Sequence, residues 1–295
     1  MHFRPRSLWC ITLMVLITGL ALSLSGIGAR PALAKVYKIS FKPVKQGRKV
    51  VNWNKKLPPL YKSRYYKLQG STTDGKYIYS NYWNKYNDKC IIVKFNVKTK
   101  RRIRSSKPLN IDHGNDLAYN PNTRRLYAVD NYKFPYRITI IDPKTLTICG
   151  KVDVKMPETL EGVDPDYIPD IDRFVGITYD NSRHQYALRV SGYNDFIITD
   201  DAFRPLKYVT VSKDFELRRQ TIDCDQDHVY VTLDKQGYYN LIAAYDWEGR
   251  YQYKIRIGLK SEIQSVCRIG NYHYATFYDN RNGKAKSYIY KFKMP

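Results

Sequence analysis

The sequence predicts an all-β chain folded as a five-bladed β-propeller, and three observations carry that expectation. Apolar and polar residues alternate with a period of two through most of the chain, and no long segment follows the helical period. The alternating stretches are rich in β-branched and aromatic residues, tyrosine alone occurring 28 times. Five segments then repeat one plan: strand, Asp/Asn/Gly-rich turn, strand with tyrosine, loop, further strand. Repeats of roughly 40–50 residues built as short meanders are the signature of propeller blades.

Residues 1–34 read as a signal peptide and stand apart from the fold. Arg4 and Arg6 give a positive start, Leu8 to Ile27 is an uncharged apolar run, and Ala32, Leu33 and Ala34 offer small residues where a signal peptidase reads. Cleavage is expected after Ala34. The alternative is an uncleaved anchor, because the run is nearly long enough to span a bilayer. Arg30 and Pro31 favour cleavage, and Cys10 lies too early for a lipoprotein signal. Residues 35–295 are then one propeller domain. The leader holds three of the 50 basic residues and none of the 27 acidic ones, which leaves the mature chain at +20 (47 against 27).

The first strand pairs of the blades read QGSTTDGKYIYSNY (69–82), NDLAYNPNTRRLYAVDNY (115–132), VGITYDNSRHQYALRVSGY (175–193), QTIDCDQDHVYVTL (220–233) and QSVCRIGNYHYATFY (264–278). The segments that complete them are 91–103, 138–148, 196–211, 241–255 and 287–293. Asn96, Asp142, Asp200, Asp246 and Phe292 mark one register position, at spacings of 46, 58, 46 and 46 residues. The long interval holds an insertion near 153–172. The last repeat supplies only three strands, and VYKISFK (36–42) is a spare one. It is expected to pair as the outer strand of the last blade and close the ring, with Gln46–Pro59 crossing to the first blade.

Within the second repeat, Asn120 to Thr123 form an NPNT turn, followed by LYAVDN (126–131) and ITIIDPKTL (138–146). This stretch, from Asn115 to Thr147, resembles the YVTN/NHL class of propeller repeats. The chain as a whole resembles extracellular propeller proteins of Gram-positive bacteria. The resemblance implies fold and an extracellular setting, not a chemistry.

In a propeller the D-to-A and B-to-C connections open on one face and the A-to-B and C-to-D turns on the other. The B-to-C loops are 82–88, 131–136, 191–195, 236–240 and 278–286, and every one carries Tyr and Asn. Aromatic faces stack on sugar rings, and Asn amides both donate and accept. Tyr82, Trp83, Tyr132, Tyr193, Tyr238 and Tyr278 are therefore candidate ligand contacts, unless Tyr and Asn merely suit loops in a Tyr-rich chain. At the same face the inner strands begin with Gln69, Asn115, Asp116, Gly176, Gln220 and Gln264. The three Gln either bond backbone around the channel or, with His113, Asn115 and Asp116, form the floor of a polar pocket. The insertion carries Asp153, Glu158, Glu161, Asp164, Asp166, Asp170 and Asp172 and reads as a lid or a counterweight to the basic surface rather than a metal site.

Four cysteines follow the leader, Cys90, Cys149, Cys224 and Cys267, without a CxxC spacing or zinc-like pairing with His, and read as mainly buried thiols. Neither a metal nor a cofactor is expected. His184, His228 and His273 belong to A-to-B turns in three blades and are not expected to converge. No HExxH, GxSxG or phosphate-binding loop occurs.

A charge of this size favours polyanions, although Lys and Arg are spread along the chain rather than gathered in a block. The reading is an exported, monomeric cell-envelope or extracellular protein that binds an anionic cell-wall polymer or glycan at the channel mouth. The alternative is a secreted enzyme, as five-bladed glutaminyl cyclases and glycoside hydrolases are, using Asp116, Glu216, Glu262 and His113. Nucleic acid ranks last, since an exported propeller does not ordinarily meet it.

Overall fold

The computed structural model describes the backbone of residues 35–39 and residues 66–99, 101–129, 132–134, 136–163, 172–280 and 286–293. The expected signal peptide, the crossing segment 46–59 and Asp164, Asp166 and Asp170 lie outside the described residues. After β1 (Lys35–Ile39), the first blade is β2 (Tyr66–Thr73), β3 (Tyr77–Asn84), β4 (Lys89–Asn96) and β5 (Arg101–Ser105). The second is β6 (Leu117–Asn120), β7 (Arg125–Val129), β8 (Arg137–Ile141) and β9 (Ile148–Asp153). The third is β10 (Phe174–Asp180), β11 (Gln185–Val190), β12 (Phe196–Asp200) and β13 (Pro205–Val209). The fourth is β14 (Arg218–Cys224), β15 (Val229–Lys235), β16 (Tyr239–Tyr245) and β17 (Tyr251–Ile257). The fifth is β18 (Glu262–Ile269), β19 (Tyr272–Asp279) and β20 (Lys286–Phe292).

Each blade is an antiparallel meander, and the inner strands β2, β6, β10, β14 and β18 touch in sequence, with β18 returning to β2. This is the closed five-bladed ring that the repeat predicts. The repeat's register anchor has a local cause. The side chains of Asn96, Asp142, Asp200 and Asp246 accept backbone N–H groups two to four residues on, as in Thr99 to Asn96 at 2.9 Å and Lys144 to Asp142 at 2.6 Å. Asx geometry of this kind folds the C-to-D turn in four of the five blades.

Tyrosine also has a structural explanation. Tyr79, Tyr127, Tyr186, Tyr230 and Tyr274 occupy one matched position on the second strands and are all buried between blades. Their rings fill the wedge between sheets, while the hydroxyls reach turn side chains: Tyr79 to Asp74 at 2.7 Å, Tyr230 to Asp225 at 2.6 Å, and Asn120 to Tyr186 at 2.8 Å. A large apolar body with a polar tip suits this border.

Closure differs from expectation. Strand β1 pairs in parallel with β17, Lys35 opposite Tyr253 and Ile39 opposite Ile257, so the fourth blade has five strands. The fifth blade keeps three among the described residues. A period-two strand satisfies any open edge, and nothing in its sequence distinguishes one blade's edge from another's. The described part of the insertion also departs from a lid. It runs beside β13, with the Tyr208 N–H donating to the Glu161 carbonyl at 2.7 Å, and Val154, Met156, Leu160 and Val163 pack on the core of blades two and three. Its acids meet blade cations, Asp153 with Arg137 at 2.7 Å and Glu161 with Lys207 at 3.8 Å.

Candidate functional site

Gln69, Asn115, Gly176, Gln220 and Gln264 stand at equivalent places in the five repeats. Two residues earlier in each blade stand Lys67, His113, Phe174, Arg218 and Glu262. Of these, Phe174 is buried in the core of blades two and three, and Lys67, Arg218 and Glu262 supply charge at the mouth.

Glu262 is the hub on the side of blades four, five and one. Its carboxylate accepts from the Gln220 amide at 3.0 Å and faces Arg218 at 2.9 Å and Lys67 at 3.4 Å. Arg218 also holds Asp234 at 2.7 Å, and the Asp234 side chain is only 2% exposed. Burial lifts the Asp234 carboxyl above the usual carboxylate range, while Arg218 opposes that rise. Lys67 lies 5.7 Å from the centre of the Tyr278 ring. Beside this network opens a cavity of about 260 Å³ lined by Arg218, Asp234, Gln236, Lys260, Glu262 and Tyr278.

The other side of the mouth is aromatic. Trp83 meets His113 edge-on at 4.2 Å, His113 lies 5.7 Å from Tyr132, and the Arg173 guanidinium sits 4.8 Å from the Tyr132 ring. Burial pushes the His113 imidazole down to about 4, with Lys67 and Arg173 adding to the effect, so the ring is neutral at physiological pH. Asp112 holds the Tyr132 loop by accepting the N–H groups of Tyr132 at 3.1 Å and Lys133 at 3.0 Å. Tyr132, Tyr193 and Tyr238 are 56%, 43% and 72% exposed.

Other expected contacts are not surface groups. Tyr82 is fully buried in a core cluster with Leu68, Ile91 and Val93, because β3 runs on to Asn84 and the loop begins later than its sequence suggests. Tyr278 belongs to the same cluster, although it also lines the cavity. Gln69 and Gln264 are buried, and the Asn115 amide donates to the Val175 carbonyl of the next blade.

Asp116 does not reach the surface of the mouth. It is fully buried and accepts three backbone N–H groups, from Leu117 at 2.9 Å, Ile177 at 3.1 Å and Ile222 at 3.1 Å. These belong to blades two, three and four. On the blade-one side lies Gly70, where an alanine Cβ would stand 2.5 Å from the Asp116 Cα. The carboxyl thus ties the inner strands of three blades, with Gly70 of the first packed against it. Burial raises it well above its ordinary range, against the three N–H donors and Arg189. Glu216 sits on an exposed loop, its own N–H donating to Asp214 at 3.0 Å, without an ion pair among the described residues. Of the four residues named for catalysis, Glu262 and His113 share the mouth, and Asp116 and Glu216 do not join them.

The opposite face also departs from expectation. His228 and His273 both flank the Tyr230 ring, at 5.8 and 6.0 Å, while His184 stands apart with Asp201. Cys90 and Cys267 are buried, whereas Cys149 is exposed. Among the described residues no group of three His, Cys, Asp or Glu is placed to hold a metal.

Fold and mouth together define the class: a five-bladed β-propeller with an aromatic and charged channel mouth. No family model and no curated protein matches the chain. Among solved structures, the glutaminyl cyclase of Myxococcus xanthus superposes with a TM-score of 0.54 at 11% identity, covering 79% of this chain and 94% of that one. The WD40 repeats of RRP9 give 0.42 at 10% identity over 76% and 79% of the two chains. A DUF4221 family member from Bacteroides vulgatus gives 0.43 at 10% over 78% and 94%. At these identities the likeness is one of fold.

Proposed function

We propose that the protein is an exported, extracellular or envelope-associated propeller that binds an anionic glycopolymer or glycan at its channel mouth. The observation that carries this reading is the run Trp83, His113, Tyr132 and Arg173 beside the Lys67–Glu262–Arg218 network. Aromatic faces take sugar rings, and the flanking cations take acidic substituents. The apolar leader, the basic charge and the resemblance of the second repeat to extracellular YVTN/NHL propellers support export.

The test is a pull-down of the purified protein on cell walls with and without their anionic polymers, across a salt series. Binding should weaken with salt and fall when the polymer is stripped. Tyr132→Ala should lower affinity about tenfold, the loss of one stacking partner. Absence of binding to both preparations would remove the reading.

A second reading, a channel-mouth enzyme, draws on one observation: Glu262 borders the cavity. A cyclase of glutaminyl peptides or a glycoside hydrolase would show turnover with a bell-shaped pH profile that Glu262→Gln abolishes. A binder shows no turnover in either form.

A further inference from the structure

The cations are not evenly presented. Strand β5 is the outermost strand of the first blade, and Arg101, Arg102, Ile103 and Arg104 are all exposed on it. Lys98 stands exposed in the turn before it and Lys107 just after. None of Arg101, Arg102 and Arg104 has an ion pair among the described residues, whereas Arg137, Arg204, Arg218 and Arg250 each hold a carboxylate.

The packing keeps like charges together. Lys94 on β4 lies directly opposite Arg104 on β5, an arrangement that disfavours the sheet. Among the described residues no acid pairs with either. The Lys94 ammonium sits 4.3 Å from the centre of the Tyr77 ring and donates to the Pro143 carbonyl at 3.2 Å, and Arg104 donates to the Lys144 carbonyl at 2.7 Å. Both are braced from the C-to-D turn of the next blade, where the exposed Lys144 adds a further cation. A fold that braces uncompensated cations with neutral carbonyls and rings leaves their charge available to an external anion.

We propose that the rim formed by β5 and the adjoining turn of blade two is a second interaction surface, away from the mouth, for a linear phosphate-bearing polymer. Three features favour a chain over a bilayer. Successive strand side chains point to opposite faces, so Arg101 and Arg102 leave the edge on different sides, which a flexible polymer can follow and a plane cannot. The only exposed large apolar side chain on the strand is Ile103, too little to insert into lipid. The outer edge of β5 is also unpaired among the described residues and adds backbone N–H donors to the guanidinium groups.

The test is binding of fluorescent long-chain inorganic polyphosphate by anisotropy over a salt series. In the triple variant R101Q/R102Q/R104Q, affinity at low salt should fall at least tenfold, and the slope of log K against log salt should shrink by about 2, since each neutralised phosphate of a flexible strand contributes ~0.7. The triple Arg→Lys variant should retain most of the affinity, which separates charge from folding. K286Q/K291Q/K293Q removes the same charge from the fifth blade and should change affinity less than twofold. Tyr132→Ala should leave the polyphosphate slope intact, so this surface and the mouth fail or stand separately. Equal losses in the two Gln triples, an unchanged slope in the Arg triple, or tighter binding to phosphatidylglycerol vesicles than to polyphosphate would overturn the assignment.

Discussion

Asp116→Ala is expected to lower the free energy of unfolding by about 4 kcal/mol, the largest effect of any single substitution at the channel. The carboxylate satisfies backbone donors at Leu117, Ile177 and Ile222, on three different blades. Each orphaned buried N–H costs ~1–3 kcal/mol, and removing a carboxyl that burial already disfavours offsets part of that sum. For a domain of this size the melting temperature should drop by roughly 10 °C. Asp116→Asn keeps the volume and an acceptor but turns an amide N–H toward at least one backbone N–H, so its loss should fall between wild type and alanine. Thermal unfolding of the three proteins checks the ranking. An alanine variant that melts with wild type would mean that Asp116 does not tie the blades. The same geometry changes how binding and catalysis are told apart: loss of function in an Asp116 variant reports on the fold, so Glu262 is the carboxylate to replace.

The blade plan was legible because two independent periodicities coincide in it. Strand alternation and the Asx turns at Asn96, Asp142, Asp200 and Asp246 recur at almost constant spacing, and each has a local physical cause. The closing strand was not legible, because its partner is chosen by tertiary geometry. The site was legible in part. Gln69, Asn115, Gly176, Gln220 and Gln264 stand at equivalent places in the five repeats, and Tyr132, Tyr193 and Tyr238 are exposed. Repeat spacing goes further than strand parity, which β-bulges interrupt at this end of the inner strands. Counting back two residues from those positions finds Lys67, His113, Phe174, Arg218 and Glu262, of which Phe174 is buried core and Lys67 and Arg218 join the charged network. Asp234, Asp112 and Arg173 enter from other strands and loops, and only their distances reveal them. Tyr82 and Asp116 are both fully buried: residue type suggests chemistry, and only burial separates an exposed group from one held in the interior. The rim cations were hidden in the other direction. Within residues 91–103 the chain turns after Asn96 and returns as β5, and it is this edge position that gathers Arg101, Arg102 and Arg104.

Removing Arg218 should give the second large loss, about 3 kcal/mol at neutral pH in an Arg218→Met variant that keeps most of the side-chain volume. Arg218 is shared by two carboxylates, Asp234 at 2.7 Å and Glu262 at 2.9 Å. Glu262 retains Lys67 and Gln220, so the loss concentrates on Asp234, which has almost no access to water. Breaking a fully buried pair costs ~3–5 kcal/mol, and the partial exposure of Arg218 itself places the expectation at the lower end. The pH dependence follows from the direction of the Asp234 shift. Its folded carboxyl already lies above the ordinary value, and without Arg218 it rises further. The folded variant then keeps a proton that the unfolded chain releases, so the variant is closest to wild type near pH 4 and falls progressively behind as pH rises toward 8. Adding Asp234→Asn to Arg218→Met removes the titrating group, so the double variant should recover part of the loss at pH 8 and little at pH 4. Urea unfolding of the four proteins at the two pH values measures this coupling. A penalty for Arg218→Met that is equal at both pH values and not relieved by Asp234→Asn would mean that the guanidinium stabilises the mouth by packing rather than by holding a buried carboxylate ionised.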